Sequence, residues 1–118
     1  MGGDLMVTQS KSREAFETLK LERGAWLIKQ IAIEKWGMEV IITGVYDPFS
    51  EADTDFRLIF QNCTRVQWSV ETDEFDDGQL EADVIGFDLY EEKHEASFTT
   101  DLFTLIVTYG ELILDKNW

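Results

Sequence analysis

Every second position is apolar in the middle of the chain: Phe56, Leu58 and Phe60, then Val66, Trp68 and Val70, with Arg57, Gln61, Arg65, Gln67, Ser69 and Glu71 on the alternate positions. Successive side chains of a strand point to opposite faces, so this pattern predicts strands with one core face and one wet face. Gln61-Asn62-Cys63-Thr64 falls between the two trios and is expected to turn, giving two short strands in place of one of unusual length. Upstream, Trp26 to Glu34 and Met38 to Tyr46 are rich in β-branched residues and flank Trp36-Gly37, which reads as a hairpin. Downstream, Val84 to Tyr90 and Ala96 to Thr100 read as strands joined across Glu91-Glu92-Lys93-His94-Glu95. Leu102 to Thr108 is expected to pair with Glu111 to Leu114 across Tyr109-Gly110.

One helix fits the pattern. Ser12 can cap it, Glu14 sits in its first turn, Phe16 and Leu19 share a face, and Gly24 follows its expected end at Glu22. Asp47-Pro48 and the polar stretch Ser50 to Asp55 read as a loop, because proline lacks an amide donor and biases the preceding residue away from helix. Eight short strands without helices between them favour antiparallel connections. The fold class is therefore mainly β: an antiparallel β-sandwich or a strongly curved, barrel-like sheet, with one N-terminal α-helix packed at an end or edge. Trp26, Trp36 and Trp68 are the large core or near-core candidates. Residues 1–11 read as a disordered tail or cloning remnant, and 12–118 as a single globular domain.

Composition narrows the functional classes. Hydrophobic residues make up 44% of the 118 and aromatics 13%, enough apolar mass to offset ordering entropy. Acids outnumber bases 24 to 10, for a net charge of -14. Twelve of those acids and only one base, Lys93, lie between Glu71 and Asp101, so this segment holds -11 of the total. Charge of one sign at that density repels itself, which solubility or a cationic partner explains better than folding does. Nucleic acid and anionic membrane are disfavoured as partners by the same charge, and no apolar run approaches the roughly 20 residues needed to span a bilayer. With one cysteine, Cys63, and no secretory leader pattern, the expected location is cytoplasmic. No cofactor is implied.

The chemistry-bearing patterns are weak. Asp73, Asp77 and Gly78 occupy the first, fifth and sixth positions of an EF-hand calcium loop, but Phe75 stands at the third and Val84 at the twelfth, where oxygen ligands are needed. A solvated acidic turn is the plainer reading, and no metal site is assigned. Asp47, Glu51, Asp53 and Asp55 form a second carboxylate group. Among 24 acids some pair will stand at a catalytic separation by chance, so paired carboxylates carry little specificity. His94 is the single histidine and lies in a charged turn. Cys63 has Arg65 nearby to favour its thiolate, but a buried, unreactive thiol is the default. Asn62-Cys63-Thr64 matches a glycosylation pattern that means little without secretion. No GxGxxG, Walker loop, GxSxG or CxxC is present.

These observations favour a non-catalytic acidic binding or inhibitor-type protein that engages a basic protein partner. Its expected surface comprises Asp73, Glu74, Phe75, Asp76, Asp77 and Glu81, together with Glu91, Glu92 and Glu95. Carboxylates would speed encounter and Phe75 would supply a desolvated anchor, unless its ring folds back on the sheet. In size and charge alone the chain resembles small nuclease inhibitors and toxin-immunity proteins; no motif carries that likeness. Two alternatives stay open. One is a small β-barrel ligand-binding protein or enzyme using a carboxylate pair or Cys63 with His94 in a pocket. The other is a structural module that self-associates through an exposed strand edge.

Overall fold

The computed structural model describes residues 8–19, 25–47, 54–70 and 81–116. In chain order the elements are β1 (Thr8–Lys11), α1 (Ser12–Thr18), β2 (Trp26–Glu34), β3 (Glu39–Tyr46), β4 (Asp55–Gln61), β5 (Arg65–Val70), β6 (Ala82–Tyr90), β7 (Glu95–Thr100), β8 (Phe103–Thr108) and β9 (Glu111–Lys116). Short 3-10 turns, Lys35–Gly37 and Glu91–Lys93, close the β2–β3 and β6–β7 hairpins. Strands β2 to β9 make one antiparallel open sheet, and the four-residue β1 adds to its edge, in the order β1-β9-β4-β3-β2-β6-β7-β8-β5.

Two strands keep their apolar residues on one face by changing phase part-way. In β2 these residues are Trp26 and Ile28, then Ile31 and Ile33. The register against β3 shifts between Ile28 and Gln30, so all four oppose Tyr46, Gly44, Ile42 and Val40 on a common face. β6 does the same between Val84 and Gly86, which puts Val84, Phe87 and Leu89 together opposite Thr100, Phe98 and Ala96. A bulge inserts one residue and re-aims everything after it. Lys29 and Ile85 are the inserted residues and both are exposed, which explains an isoleucine in solvent.

The sheet is two runs of strands joined narrowly. β2 and β6 share only the pairs Leu27 with Asp83 and Ile28 with Ala82. Across that junction the core is aromatic. The Trp26 ring meets Phe56, Phe87 and Phe98 edge-on, with centroids 5.2, 5.0 and 5.9 Å away, and Phe60 meets Phe98 at 5.9 Å. Such edge-to-face pairs add roughly 0.5–1.5 kcal/mol each beyond the area they bury. α1 packs on β9 and β1, burying Ala15, while Phe16 lies against Phe87 at 5.4 Å and Leu19 is buried just after the helix. On the opposite face of the sheet, Arg57 and Asp115 stand directly across β4 and β9 and pair at 3.0 Å, fixing that register from outside the core.

Several expectations need correction. The sheet is open, with β1 and β5 as edges, and not a closed barrel. Residues 8–11, assigned to the tail, pair with β9. β8 and β9 do not form a hairpin: β8 lies between β7 and β5, and β9 between β1 and β4. Tyr109-Gly110 therefore carries the chain from one run to the other. Of the three tryptophans placed in or near the core, only Trp26 is buried. Trp36 is 100% exposed at the tip of the β2–β3 hairpin, beyond the last sheet pair, and Trp68 is 48% exposed on β5, which among the described residues has a neighbour on one side only.

Gly44 lies on β3 opposite Ile28 of β2, where a Cβ would collide with the Leu27 carbonyl oxygen. The obstacle is backbone and cannot swing aside. Gly44→Ala is expected to lower stability by about 2 kcal/mol or more, read as a reduced urea midpoint, whereas Gly86→Ala, which meets only ordinary contacts at 3.6 Å, should cost far less.

Candidate functional site

Two short connections pass between the runs: Asn62–Thr64 from β4 to β5, and Tyr109–Gly110 from β8 to β9. They are hydrogen-bonded to the hairpin ends around them. The Cys63 amide donates to the Met38 carbonyl (2.9 Å), Thr64 to Thr108 (2.9 Å), Tyr109 to His94 (2.9 Å) and Gly110 to Gln61 (2.9 Å). The β2–β3 tip, both connections and the Glu91–His94 turn thus gather at one end of the molecule. Gly110 allows the close crossing, since a Cβ there would come within 2.9 Å of Asn62 Cβ.

Backbone strain concentrates at this end. Lys35, Trp36, Gly37, Asn62 and His94 all have positive φ, of 54, 63, 98, 56 and 51°. Asparagine tolerates that conformation, but a non-glycine residue such as lysine or tryptophan gives up roughly 1–2 kcal/mol in it. Trp36 is held there with its ring in solvent, between the half-exposed Ile33 and Met38. Beside the tip is an open depression of about 410 Å³ lined by Lys35, Met38, Glu39, Gln61 and Asn62. Lys35 reaches Glu39 at 3.8 Å across it.

The described carboxylates among those expected to bind a partner separate into two groups. Glu91 and Glu92 are exposed in the turn at the crossover end, and Glu95 begins β7 beside them. Glu34, Glu39 and Glu111 lie at the same end on the other run, so among the described residues six carboxylates stand at this end with the bases Lys35, Arg65 and Lys93. Glu81 lies at the far end of β6, about 27–30 Å away at the rise of a nine-residue strand. Asp73, Glu74, Phe75, Asp76 and Asp77 lie outside the described residues, as does most of the calcium-like loop. Two further acids of the dense segment have work within the fold: the Asp101 carboxylate accepts the Asp83 amide proton at 2.9 Å, and the Asp101 amide donates to the Asp83 carbonyl at 3.2 Å.

Cys63 and His94 both come to this end, but their described contacts go elsewhere. The Cys63 thiol donates to the Phe60 carbonyl at 3.5 Å, and the His94 ring lies 5.8 Å from that of Tyr109. Burial pushes the thiol pKa up; a backbone hydrogen bond from Val40 partly offsets this, and the Glu39 carboxylate adds to the rise. The thiol is therefore protonated at neutral pH and is a poor nucleophile. Burial also raises the Tyr109 phenol, with Glu91 adding to it. Among the described residues no group of three or more His, Cys, Asp or Glu could hold a metal ion, and no helix is long and apolar enough to cross a membrane.

Sequence reasoning missed Trp36, Met38, Gln61 and Asn62 as site residues. The available signal was a tryptophan inside a turn, where alternation stops and no core face exists to receive it. No family model, curated protein or solved structure matches the chain.

The raised groups fix a pH dependence. Unfolded, the thiol and phenol ionise near 9.0 and 10.0; folded, they hold their protons to higher pH. The unfolded chain then binds fewer protons in the alkaline range, so stability falls as pH rises above 9.0 and is unaffected by either group near neutrality. Denaturation midpoints measured from neutral pH to beyond 10.0 are expected to decline less steeply in Cys63→Ala/Tyr109→Phe than in the wild type.

Proposed function

We propose that this is a non-catalytic, inhibitor-type acidic protein that engages a basic protein partner, and that the crossover end is the contact surface. The observation that carries the reading is Trp36: a tryptophan wholly in solvent, on a strained backbone, with the exposed Ile33 and Met38 near it in the chain, at the end of the molecule where carboxylates of both runs lie. Tryptophan anchors dominate binding energy where they are desolvated at an interface centre, while surrounding charge sets encounter rate and partner choice. Strain retained in a free protein is a reason to look for function at that place. Trp36 replaces Phe75 as the leading anchor, and Glu91, Glu92 and Glu95 keep their assigned role. Asp73, Glu74, Asp76, Asp77 and Glu81 would add to the negative field and act on approach. A cytoplasmic setting belongs to the same reading. The protonated Cys63 thiol gives the enzymatic alternative less to stand on.

We also infer that the two runs face one another as an open sandwich. β8 and β9 stand six places apart in the strand order, about 29 Å on a flat sheet. The connection of two residues, Tyr109 and Gly110, spans three Cα steps, at most about 11 Å. The Phe60–Phe98 contact supports the same arrangement. It would set Trp36 on a firm base, because both runs would brace the hairpin from which it projects.

Capture of basic proteins on the immobilised chain at low salt, eluted with a salt gradient, tests the binding reading. A partner retained by the wild type is expected to bind Trp36→Asn at least about tenfold more weakly. It should elute at lower salt from Glu91→Gln/Glu92→Gln/Glu95→Gln and, to a lesser degree, from Asp73→Asn/Glu74→Gln/Asp76→Asn/Asp77→Asn. Equal retention by all three variants would exclude this surface.

Trp36→Asn separates function from stability. Asparagine accepts a left-handed backbone, so the variant is expected to unfold at the same urea concentration as the wild type or a higher one, a gain of up to about 1 kcal/mol, while losing the partner. A marked fall in stability would show that the ring supports the fold.

A further inference from the structure

Four polar side chains form one row across the crossover end, on the face of the sheet away from the core. Glu34 of β2 stands opposite Glu39 of β3, Glu39 opposite Gln61 of β4, and Gln61 opposite Glu111 of β9. Alternation puts them there, since the adjacent Val40, Phe60 and Leu112 are buried on the other face. Like charges directly opposite on paired strands are destabilising, and Glu34 with Glu39 is such a pair.

Glu39 is the acid of this row that lines the depression, together with Lys35, Met38, Gln61 and Asn62. Its side chain is only 14% exposed, whereas that of Lys35 is 68% exposed. The 3.8 Å between the Lys35 ammonium and the Glu39 carboxylate is too long for a hydrogen bond. Among the described residues, a carboxylate mostly withdrawn from water therefore has one loosely held ammonium as its cation. Beside it the Gln61 and Asn62 side chains each carry a carbonyl oxygen, and the half-exposed Met38 adds an apolar wall.

These groups select the occupant by their chemistry. Six carboxylates against three bases, among the described residues, favour a cation at this end. Several acceptors around one carboxylate suit a planar array of donors, which a guanidinium supplies with its five N–H groups and an ammonium does not. A guanidinium is also the more weakly hydrated of the two, and the methylene stem of an arginine can lie along Met38. Exposed ion pairs such as that of Lys35 contribute little, so Lys35 gives way at small cost.

We propose that the depression is an arginine subsite: an arginine side chain of the partner enters it, displaces Lys35 and pairs with Glu39 while donating to Gln61 and Asn62. The inference rests on the reading of the crossover end as the surface that meets a basic protein, and it narrows that protein to one presenting an exposed arginine.

Nuclear magnetic resonance of the isotope-labelled full chain, titrated at low salt with a capped glycine-arginine-glycine peptide and its lysine and citrulline counterparts, tests the proposal. The arginine peptide is expected to shift the side-chain amide signals of Gln61 and Asn62 to saturation. The lysine peptide should bind at least about threefold more weakly and the uncharged citrulline peptide at least about tenfold more weakly. Comparing peptides on the wild type requires no variant to fold. Glu39→Gln should weaken the arginine peptide at least about tenfold, whereas Glu34→Gln, which removes the same charge from a residue that does not line the depression, should cost no more than about threefold. Lys35→Gln should strengthen binding, because the competing cation is gone. Absence of a saturable shift, equal affinity for the lysine and arginine peptides, or equal losses from Glu34→Gln and Glu39→Gln would overturn the arginine subsite. Each of those results would leave the broader reading standing, since that depends on capture of a basic protein by the wild type and its loss from Trp36→Asn.

Discussion

Two rungs of backbone pairing join the halves of this sheet, and two rungs cannot by themselves hold five strands to four. The Trp26 ring sits beside that junction and touches aromatic rings from β4, β6 and β7, so contacts between side chains supply what the ladder lacks there. Much else depends on this. The bulges at Lys29 and Ile85 bring the apolar residues beyond them back to the aromatic face, and α1 closes over the same cluster through Phe16 and Phe87.

The division of labour between the ends of β6 follows from where chain connections are short. At the crossover end, two hairpin turns and the Asn62 link hold backbone in left-handed conformations, and carboxylates from strands and turns of both runs come together. Glu81, Asp83 and Asp101 belong to the other end, where Asp83 and Asp101 fasten a turn. A run of acids in the sequence is thus not one surface. Alternation along β6 and the hairpin that follows it distribute those charges to different places, with different consequences for a partner approaching the molecule.

Strand identity was legible in the residues because period-two alternation is a local signal. Phe56, Leu58 and Phe60 are all buried on one face of β4, as their spacing implies. Strand pairing was less legible, because it depends on which surfaces meet. Leu102–Thr108 and Glu111–Leu114 look like a hairpin across Tyr109-Gly110, but each has partners elsewhere that a local pattern cannot reveal. The tryptophans show the same limit. Nothing in the composition separates Trp26 from Trp36; the difference is that one starts a strand facing the core and the other sits where the chain reverses. The acids of the Glu91–Glu95 turn were readable as an exposed charged turn, but that they would meet the β2–β3 tip was not.

The position of β9 gives the molecule an order in time. It lies between β1 and β4 in the sheet, yet follows every other described strand. A chain emerging from the ribosome presents β1 long before the strand to which it will pair, and the outer edge of β4 is left open until β9 arrives. Only then can α1, which packs on β9, find its seat. Residues 8–18 are thus made before the strand that secures them. Long-range pairing of this kind folds slowly, and the interval leaves β4 open to pairing with a neighbouring nascent chain. Dense negative charge along the later segments would keep such neighbours apart while the last strand is awaited.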